Sequence, residues 1–269
     1  RTMDDLVTTS GKQKIERSRR KSPDGVPTND LVFSAYTSNN DAVFPHVLSL
    51  YVAPGSRVAD VTYGKGVFWR RVPKNAYELL ATDLKDGVDC RDLPYEDESL
   101  DAVVFDPPYM HTPGRGAHEG HQNFEEYYRN NKASSDKKYH EAVLDLYFQA
   151  AKEAWRVLKN GGVYIVKCQD EVCANRQRLT HVEIINELAT YGFIVEDLFV
   201  VVRNGKPGVS RLLAQAHARK NHSYFLVFIK PQGKKRWAAL KNRLIVHTEP
   251  PAPGHPEDEE DVQAYLFTE

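Results

Sequence analysis

Short apolar runs separated by turn-forming residues dominate the first half of the chain. Residues 57–61, 77–83 and 100–105 are such runs, and each ends at or beside an aspartate. Runs of this length bounded by turn signals are typical of buried strands. The pattern predicts parallel strands whose carboxyl ends carry Asp60, Asp83 and Asp106.

Helical periodicity appears in three further segments. A helix is predicted from about residue 41, with Asp41 as its N-cap and Pro45 in its first turn. Apolar residues recur at helical spacing over residues 138–158, where Asn160-Gly161-Gly162 is expected to end the helix. Another helix is predicted over residues 181–190, and Val67-Phe68-Trp69 is expected to begin one as well.

The second half of the chain contains further apolar strand patterns. Residues 163–168, 193–202 and 223–229 are predicted strands, and nothing between the last two resembles a crossover helix. These two strands are therefore expected to form an antiparallel hairpin. Together the elements predict an α/β fold, a doubly wound Rossmann-like sheet that is mostly parallel with an antiparallel last strand.

Charge and composition suggest three regions. Residues 1–30 are polar and basic and are expected to form a flexible arm, residues 31–231 the folded domain, and residues 232–269 a basic, then Pro-rich and acidic tail. The formal net charge is -1, so the chain as a whole gives no nucleic-acid signal. Positive charge is concentrated at residues 12–21, 203–220 and 234–236.

Cysteine usage and hydropathy indicate the compartment. Cys90, Cys168 and Cys173 are odd in number and form no C-x-x-C pair, which argues against structural disulfides and zinc. No apolar run has membrane-spanning length, and no secretion signal is recognisable. The expected location is the cytoplasm, without membrane contact. Nothing in the sequence indicates an oligomeric state.

A glycine-containing turn follows the first of these strands. In Thr62-Tyr63-Gly64-Lys65-Gly66 the glycines allow a tight turn and close approach of a ligand. The motif is shorter than the dinucleotide fingerprint and lacks the lysine of a P-loop. Asp83, at the end of the next strand, can accept the hydroxyls of a ribose, although a strand-terminal turn residue is the simpler interpretation.

The most specific chemistry lies in Asp106-Pro107-Pro108-Tyr109. The two prolines fix a rigid turn and leave carbonyls without a competing local donor. An anionic acceptor, a carbonyl and an aromatic ring can together hold a planar ring that carries an amine. The simpler interpretation is a turn that ends a strand.

A stretch without periodicity follows, from Met110 to about Asp136. A loop of this length is commonly a lid, and Phe124 and Tyr127 are its candidate base-stacking residues, unless they pack on the core. His111, His118 and His121 lie here without the cysteine or carboxylate pattern of a metal site, so no metal is predicted.

These motifs resemble the S-adenosylmethionine-dependent amino-methyltransferases of DNA. The resemblance covers about residues 30–230 and includes the final strand segment that begins at Arg219-Lys220-Asn221-His222. It implies a seven-stranded sheet with a reversed last strand, and S-adenosylmethionine as cofactor. The residues it assigns to the cofactor are Asp60, Thr62, Tyr63, Gly64, Gly66, Asp83, Asp92, Leu93 and Asp106.

The resemblance also implies roles at the substrate. Asp106 and the Pro107 carbonyl would accept the amine hydrogens, with Pro108 completing the turn and Tyr109 stacking on a flipped base. An aspartate at the first position, rather than serine, resembles adenine-directed members. DNA phosphates would be bound by Arg211, Arg219 and Lys220.

Other functions remain open. The same tetrapeptide fits an RNA methyltransferase acting on guanine N2 or adenine N6. An inactive nucleic-acid-binding partner subunit would keep the fold but usually lose the acid. A dehydrogenase lacks support, because the third glycine and a catalytic His or Tyr-Lys pair are missing.

Overall fold

A computed structural model describes residues 31–109, 139–205 and 215–232. The compact unit that contains the central sheet begins at Phe33. Several sequence predictions fall outside the described residues. They concern the arm of residues 1–30, the stretch 110–136 with Phe124 and Tyr127, Arg211, the basic patch 234–236 and the tail beyond residue 232.

A seven-stranded sheet forms the centre of the described part of the chain. Its spatial order is β1-β8-β9-β5-β4-β2-β3. The strands are β1 (Ala35–Thr37), β2 (Arg57–Asp60), β3 (Glu78–Ala81), β4 (Leu100–Phe105), β5 (Leu158–Cys168), β8 (Ile194–Val202) and β9 (His222–Ile229). A separate hairpin pairs β6 (Glu171–Cys173) with β7 (Arg176–Arg178).

All neighbouring strands of this sheet are parallel except those that pair with β9. Strand β9 lies between β5 and β8 and is antiparallel to both. The fold class is thereby confirmed: a mostly parallel Rossmann-like sheet with a reversed last strand. The predicted β8–β9 hairpin is confirmed as well.

Three α-helices of the described residues cover the sheet. They are α1 (Asn40–Tyr51), α2 (Tyr139–Val157) and α3 (Thr180–Tyr191). Helix α2 buries an apolar stripe on one face of the sheet, where Tyr147 contacts Phe105 of β4. On the other face Phe44 of α1 packs against Phe225 of β9, with ring centroids 5.9 Å apart.

The beginning of α1 differs from the prediction. The N-cap is Asn39 rather than Asp41, which lies in the first turn. Pro45 lies inside the helix rather than in its first turn. The position is tolerated at a cost, because proline removes one backbone donor within the helix.

Two further predictions of local structure were wrong. The helix expected from Val67 is only a 3₁₀ turn, Phe68–Arg71, because Pro73 holds Val72 in an extended conformation (φ −76°, ψ 129°). The residues expected to terminate α2 lie instead within β5, which starts at Leu158 immediately after the helix. Gly161 has a φ of 86°, and the β4–β5 register shifts here, as at a bulge.

No helix within the described ranges is long and apolar enough to cross a membrane. Within the same ranges, no group of three His, Cys, Asp or Glu side chains could hold a metal ion.

Candidate active site

The polar residues of interest gather at the carboxyl edge of the sheet. Strand β2 has β3 on one side and β4 on the other, so the chain reverses its direction of winding at β2. In open α/β sheets, ligands bind outside the carboxyl ends of the strands at such a switch point. The glycine turn follows β2, and Asp106 follows β4.

The glycine turn has a conformation that other residues rarely adopt. Gly64 and Gly66 have φ values of 54° and 64°. A Cβ atom on Gly66 would lie 2.5 Å from the hydroxyl oxygen of Tyr63. At Gly64 and Gly66 the turn therefore has no side chain between its main chain and the switch point. This suits a ligand that approaches the main chain closely.

Asp83 fixes this turn. Its carboxylate accepts the backbone N–H of Gly64 at 2.9 Å and that of Lys85 at 3.1 Å. The Lys85 ammonium donates to the Gly64 carbonyl at 2.6 Å. A carboxylate offers about four acceptor positions, so the half-buried Asp83 retains capacity for ribose hydroxyls. Its assignment to the ribose stays a prediction.

Asp60 lies beneath the turn. Its carboxylate is 4% exposed and accepts the Thr62 backbone N–H at 3.1 Å and the Trp69 indole N–H at 2.7 Å. Burial raises the pKa of Asp60 to about 7, although both hydrogen bonds oppose the change. A buried acid of this kind suits a cationic ligand group, and its contact with the cofactor ammonium stays a prediction.

Thr62 joins the glycine turn to the tetrapeptide. Its hydroxyl oxygen accepts the backbone N–H of Asp106 at 2.6 Å. The two candidate motifs are thereby held in a fixed relation across β2 and β4. The sequence pattern contains no signal for this connecting contact of Thr62, which the structure shows.

Within the tetrapeptide, the Tyr109 hydroxyl donates to an oxygen of Asp106 at 2.5 Å. Burial raises the pKa of Asp106, and the Tyr109 hydrogen bond, Lys167 and Arg203 act against it. Pro107 is buried, whereas Pro108 and Tyr109 are partly exposed. The tyrosine that is expected to stack on a base thus contacts the acid expected to bind the amine.

The loop before β4 contains Asp92 and Leu93, which the family resemblance assigns to the cofactor. Asp92 is exposed, and Leu93 is buried with its N–H donated to Glu153 of α2 at 3.0 Å. Asp89 of this loop is half-buried and pairs with Arg91 at 2.8 Å. Its position between apolar Val88 and Cys90 was the available sequence signal. Contact of Asp92 and Leu93 with an adenine ring stays a prediction.

The structure adds a lysine to the neighbourhood of Asp106. Lys167 lies near the end of β5, is 1% exposed and donates to the Ser223 hydroxyl of β9. A charged residue within the apolar run Val163–Cys168 was the sequence signal for it. Farther out on this edge, Arg219 is exposed and Lys220 half-buried just before β9.

A family model described as DNA methylase, of the N6 and N4 type, matches residues 100–263, more than half of the 269 residues. No curated protein sequence matches this chain at a significant level.

Solved structures resemble the chain at low identity. TrmN from Thermus thermophilus is 16% identical (TM-score 0.41), over 71% of this chain and 48% of that one. A second Thermus thermophilus protein, described as a DNA modification methylase and complexed with S-adenosyl-L-methionine, is 20% identical (TM-score 0.37), over 66% and 57%. A SAM-dependent methyltransferase from Methanosarcina mazei is 11% identical (TM-score 0.39), over 70% and 98%. The chain spans about half the length of the first two.

The sheet, with its reversed last strand, has the Rossmann-like fold of methyltransferases. The chain belongs to the N6/N4 DNA methylase family. Its cofactor is S-adenosylmethionine.

Proposed function

We propose that this protein transfers a methyl group from S-adenosylmethionine to the exocyclic amine of a base in DNA, with adenine N6 as the target. The observation that carries the proposal is the hydrogen bond from the Asp106 N–H to Thr62. It fixes the candidate amine acceptor relative to the glycine turn. The aspartate at the first motif position supports adenine over cytosine through the family resemblance.

The residues of the glycine turn suit the cofactor. The bare backbone at Gly64 and Gly66 would face its methionine part, Asp60 its ammonium and Asp83 its ribose. When bound, the cofactor supplies an electrophilic methyl group on a sulfonium. The carboxylate of Asp83, and that of Asp60 once a bound cation lowers its raised pKa, would give this edge the negative charge that suits a cationic ligand.

In the proposed reaction, the protein makes the exocyclic amine of the base a better nucleophile. An exocyclic amine on adenine is a weak nucleophile, because its lone pair is delocalised into the ring. Asp106 and the Pro107 carbonyl can each accept one amine hydrogen, which favours a tetrahedral nitrogen with a directed lone pair. Catalysis then consists of positioning and electrostatic stabilisation. The product ammonium is acidic and loses its proton readily, so Asp106 need not deprotonate the amine beforehand.

Access to the amine requires the base to leave the duplex. Enzymes that modify a base flip its nucleotide into the active site, where aromatic side chains hold it by stacking. Tyr109, partly exposed beside Asp106, is the candidate stacking residue. In this proposal its hydroxyl leaves the Asp106 carboxylate when the target amine arrives.

Replacing Asp106 separates methyl transfer from cofactor binding. Asp106→Ala should abolish transfer and leave the affinity for S-adenosylmethionine within about three-fold, because an acceptor used mainly in the transition state affects kcat more than binding. Calorimetry measures the affinity, and radiolabelled methyl transfer measures the rate. Turnover close to that of the wild type would contradict the mechanism.

The same assay compares substrates. Duplex DNA, single-stranded DNA and RNA of matched sequence are offered to the wild-type protein at one salt concentration. Methylation of DNA, with RNA at least about ten-fold slower, is the expected result. A preference for RNA would contradict the proposed substrate and leave the roles of the amine-binding residues unchanged.

A further inference from the structure

A lysine is buried beside the candidate catalytic acid. Lys167 is 1% exposed; its ammonium donates to the Ser223 hydroxyl at 2.5 Å and lies 4.6 Å from the centroid of the Phe225 ring. No carboxylate of the described ranges lies within 4.0 Å of this ammonium, although buried lysines are generally paired with an acid. We therefore expect a negatively charged group at a longer distance from this buried ammonium.

Strand register identifies Asp106 as that partner. Phe105 of β4 is the ladder partner of Val166 of β5, and both belong to the core beneath α2. Side chains alternate along a strand, so the next residues, Asp106 and Lys167, both turn to the opposite face. Adjacent strands lie about 4.8 Å apart, so these two residues are neighbours on one face of the sheet.

The same face carries a row of polar groups. Lys167 of β5 is the ladder partner of Phe225 of β9, which packs against α1. Ser223 lies two residues before Phe225 on β9, so its side chain points to the same face. Arg203 lies just after β8 and donates its backbone N–H to the carbonyl of Asn221, just before β9. Lys167 and Arg203 act on Asp106 through their charge, and Tyr109 acts on it through its hydrogen bond. The charge of Asp106 in turn acts on Asp60 of β2, Tyr147 of α2 and Cys168 of β5, so these groups lie near it as well.

Lys167 and Asp106 each oppose the shift that burial causes in the pKa of the other. Burial lowers the pKa of Lys167 to about 8, and the charge of Asp106 raises it again. Burial likewise raises the pKa of Asp106, and Lys167 acts against that change. Burial disfavours the charged form of each group in this position, and the opposite charge nearby favours it.

We propose that Lys167 is a positioning residue for methyl transfer, whose buried ammonium keeps the Asp106 carboxylate ionised and directed towards the target amine. The inference rests on the proposed function, since it assigns Asp106 the role of amine acceptor. Nothing in the tetrapeptide itself supplies this positive charge, so β5 contributes it to the site from outside the motif.

Titration of Asp106 tests the inference without any substrate. The full chain is labelled with ¹³Cγ-aspartate, and the Asp106 signal is assigned by its loss in Asp106→Asn. In Lys167→Met the titration midpoint of Asp106 should rise by about one pH unit or more, the scale expected for a neighbouring opposite charge. Lys167→Arg should keep the wild-type midpoint. Ser223→Ala is the matched control, because it removes the hydrogen bond of Lys167 and keeps the charge.

Kinetics provide the second reading. Lys167→Met should lower kcat at pH 7 at least five-fold and regain much of it at higher pH, because the carboxylate then ionises without help. The affinity for S-adenosylmethionine should stay within about three-fold. A uniform loss at every pH, with an unchanged Asp106 midpoint, would overturn the inference and indicate a purely structural lysine.

A reciprocal measurement avoids dependence on a lysine variant that fails to fold. Coupled groups shift each other equally, so Asp106→Asn should lower the pKa of Lys167, followed through its ¹³Cε signal. An unchanged lysine pKa would overturn the inference. Failure of the proposed function would be seen separately, as the absence of methyl transfer by the wild-type protein.

Discussion

At the scale of single residues, Thr62 connects the two motifs of the site. Its hydroxyl accepts the Asp106 N–H, and its own N–H is donated to Asp60. Thr62→Val keeps the shape of the side chain but leaves the Asp106 N–H without its acceptor, at a cost of about 1–3 kcal/mol. We expect kcat to fall about ten-fold with cofactor affinity nearly unchanged, as measured by steady-state kinetics and calorimetry.

Thr62→Ser is the control and should retain activity. Equal activity of the valine and serine variants would show that the contact has no catalytic importance.

Tyr109 combines the ring proposed to stack on the base with a hydroxyl that is bonded to Asp106, the candidate catalytic acid. Tyr109→Phe keeps the ring and removes the hydrogen bond that lowers the pKa of Asp106. We therefore expect kcat above pH 8 within about three-fold of the wild type, with a larger loss towards lower pH. Tyr109→Ala also removes the stacking, worth about 1–3 kcal/mol per base, and should weaken DNA affinity at least about five-fold. Fluorescence binding assays and pH–rate profiles distinguish the two variants. A phenylalanine variant as impaired as the alanine variant would contradict this division of roles.

The residues found from the sequence and those missed differ in physical terms. Asp106 was predictable because a buried strand ends in an acid before two prolines. Lys167 was not, because its importance depends on which strand pairs with β4, and register is a property of the whole sheet. Thr62 was grouped with the cofactor residues, yet its contact with Asp106 bridges residues far apart in the chain.

At the scale of secondary structure, strong periodicity gave the reliable predictions. Strand β4, helix α2 and the β8–β9 hairpin lie close to their predicted positions, because each buries a long apolar face. The wrong predictions concern segments whose structure depends on the local backbone geometry of proline and glycine. Pro73 limited the segment after Gly66 to one 3₁₀ turn, and the glycines after α2 became part of a strand.

The bulge at the start of β5 offers a test at this scale. A Cβ on Gly162 would lie 2.8 Å from the Lys159 carbonyl and 3.2 Å from that of Asp101, both backbone atoms that cannot rotate away. We expect Gly162→Ala to lower the free energy of unfolding by about 1–3 kcal/mol, the usual cost of overpacking.

Gly55→Ala is the matched control for this variant, since Gly55 has a φ of 82° and nothing within 4 Å of a new Cβ. It should show only the backbone strain of a left-handed residue, about 1–2 kcal/mol. Urea denaturation measures both proteins. An unchanged stability of Gly162→Ala would show that β4 and β5 can separate here without cost.

At the scale of the whole molecule, charge distribution decides how nucleic acid is held. The formal net charge is -1, so binding depends on local positive charge. Arg219 and Lys220 precede β9 on the edge that carries Asp106. Phosphate contacts of this kind position a duplex without reading its sequence, so a weak sequence preference is expected.

Salt dependence measures these contacts. Replacing Arg219 and Lys220 by alanine should weaken DNA binding across all sequences and reduce the slope of log affinity against log salt by up to about two, near one for each lost phosphate contact. The control replaces Lys74 and Lys159, which lie towards the amino edge of the sheet and change the charge equally. Its slope should match the wild type. Parallel slopes for all three proteins would show that Arg219 and Lys220 are surface groups without a role in binding.

The central claim is the identity of the methylated atom. Wild-type protein and Asp106→Ala are incubated with duplex DNA and with RNA in the presence of S-adenosylmethionine that carries a deuterated methyl group. The products are digested to nucleosides and analysed by mass spectrometry. We predict deuterated N6-methyldeoxyadenosine from DNA with the wild-type protein and none with Asp106→Ala. Label on N4 of deoxycytidine, on N2 of guanosine in RNA, or in both proteins equally would contradict it.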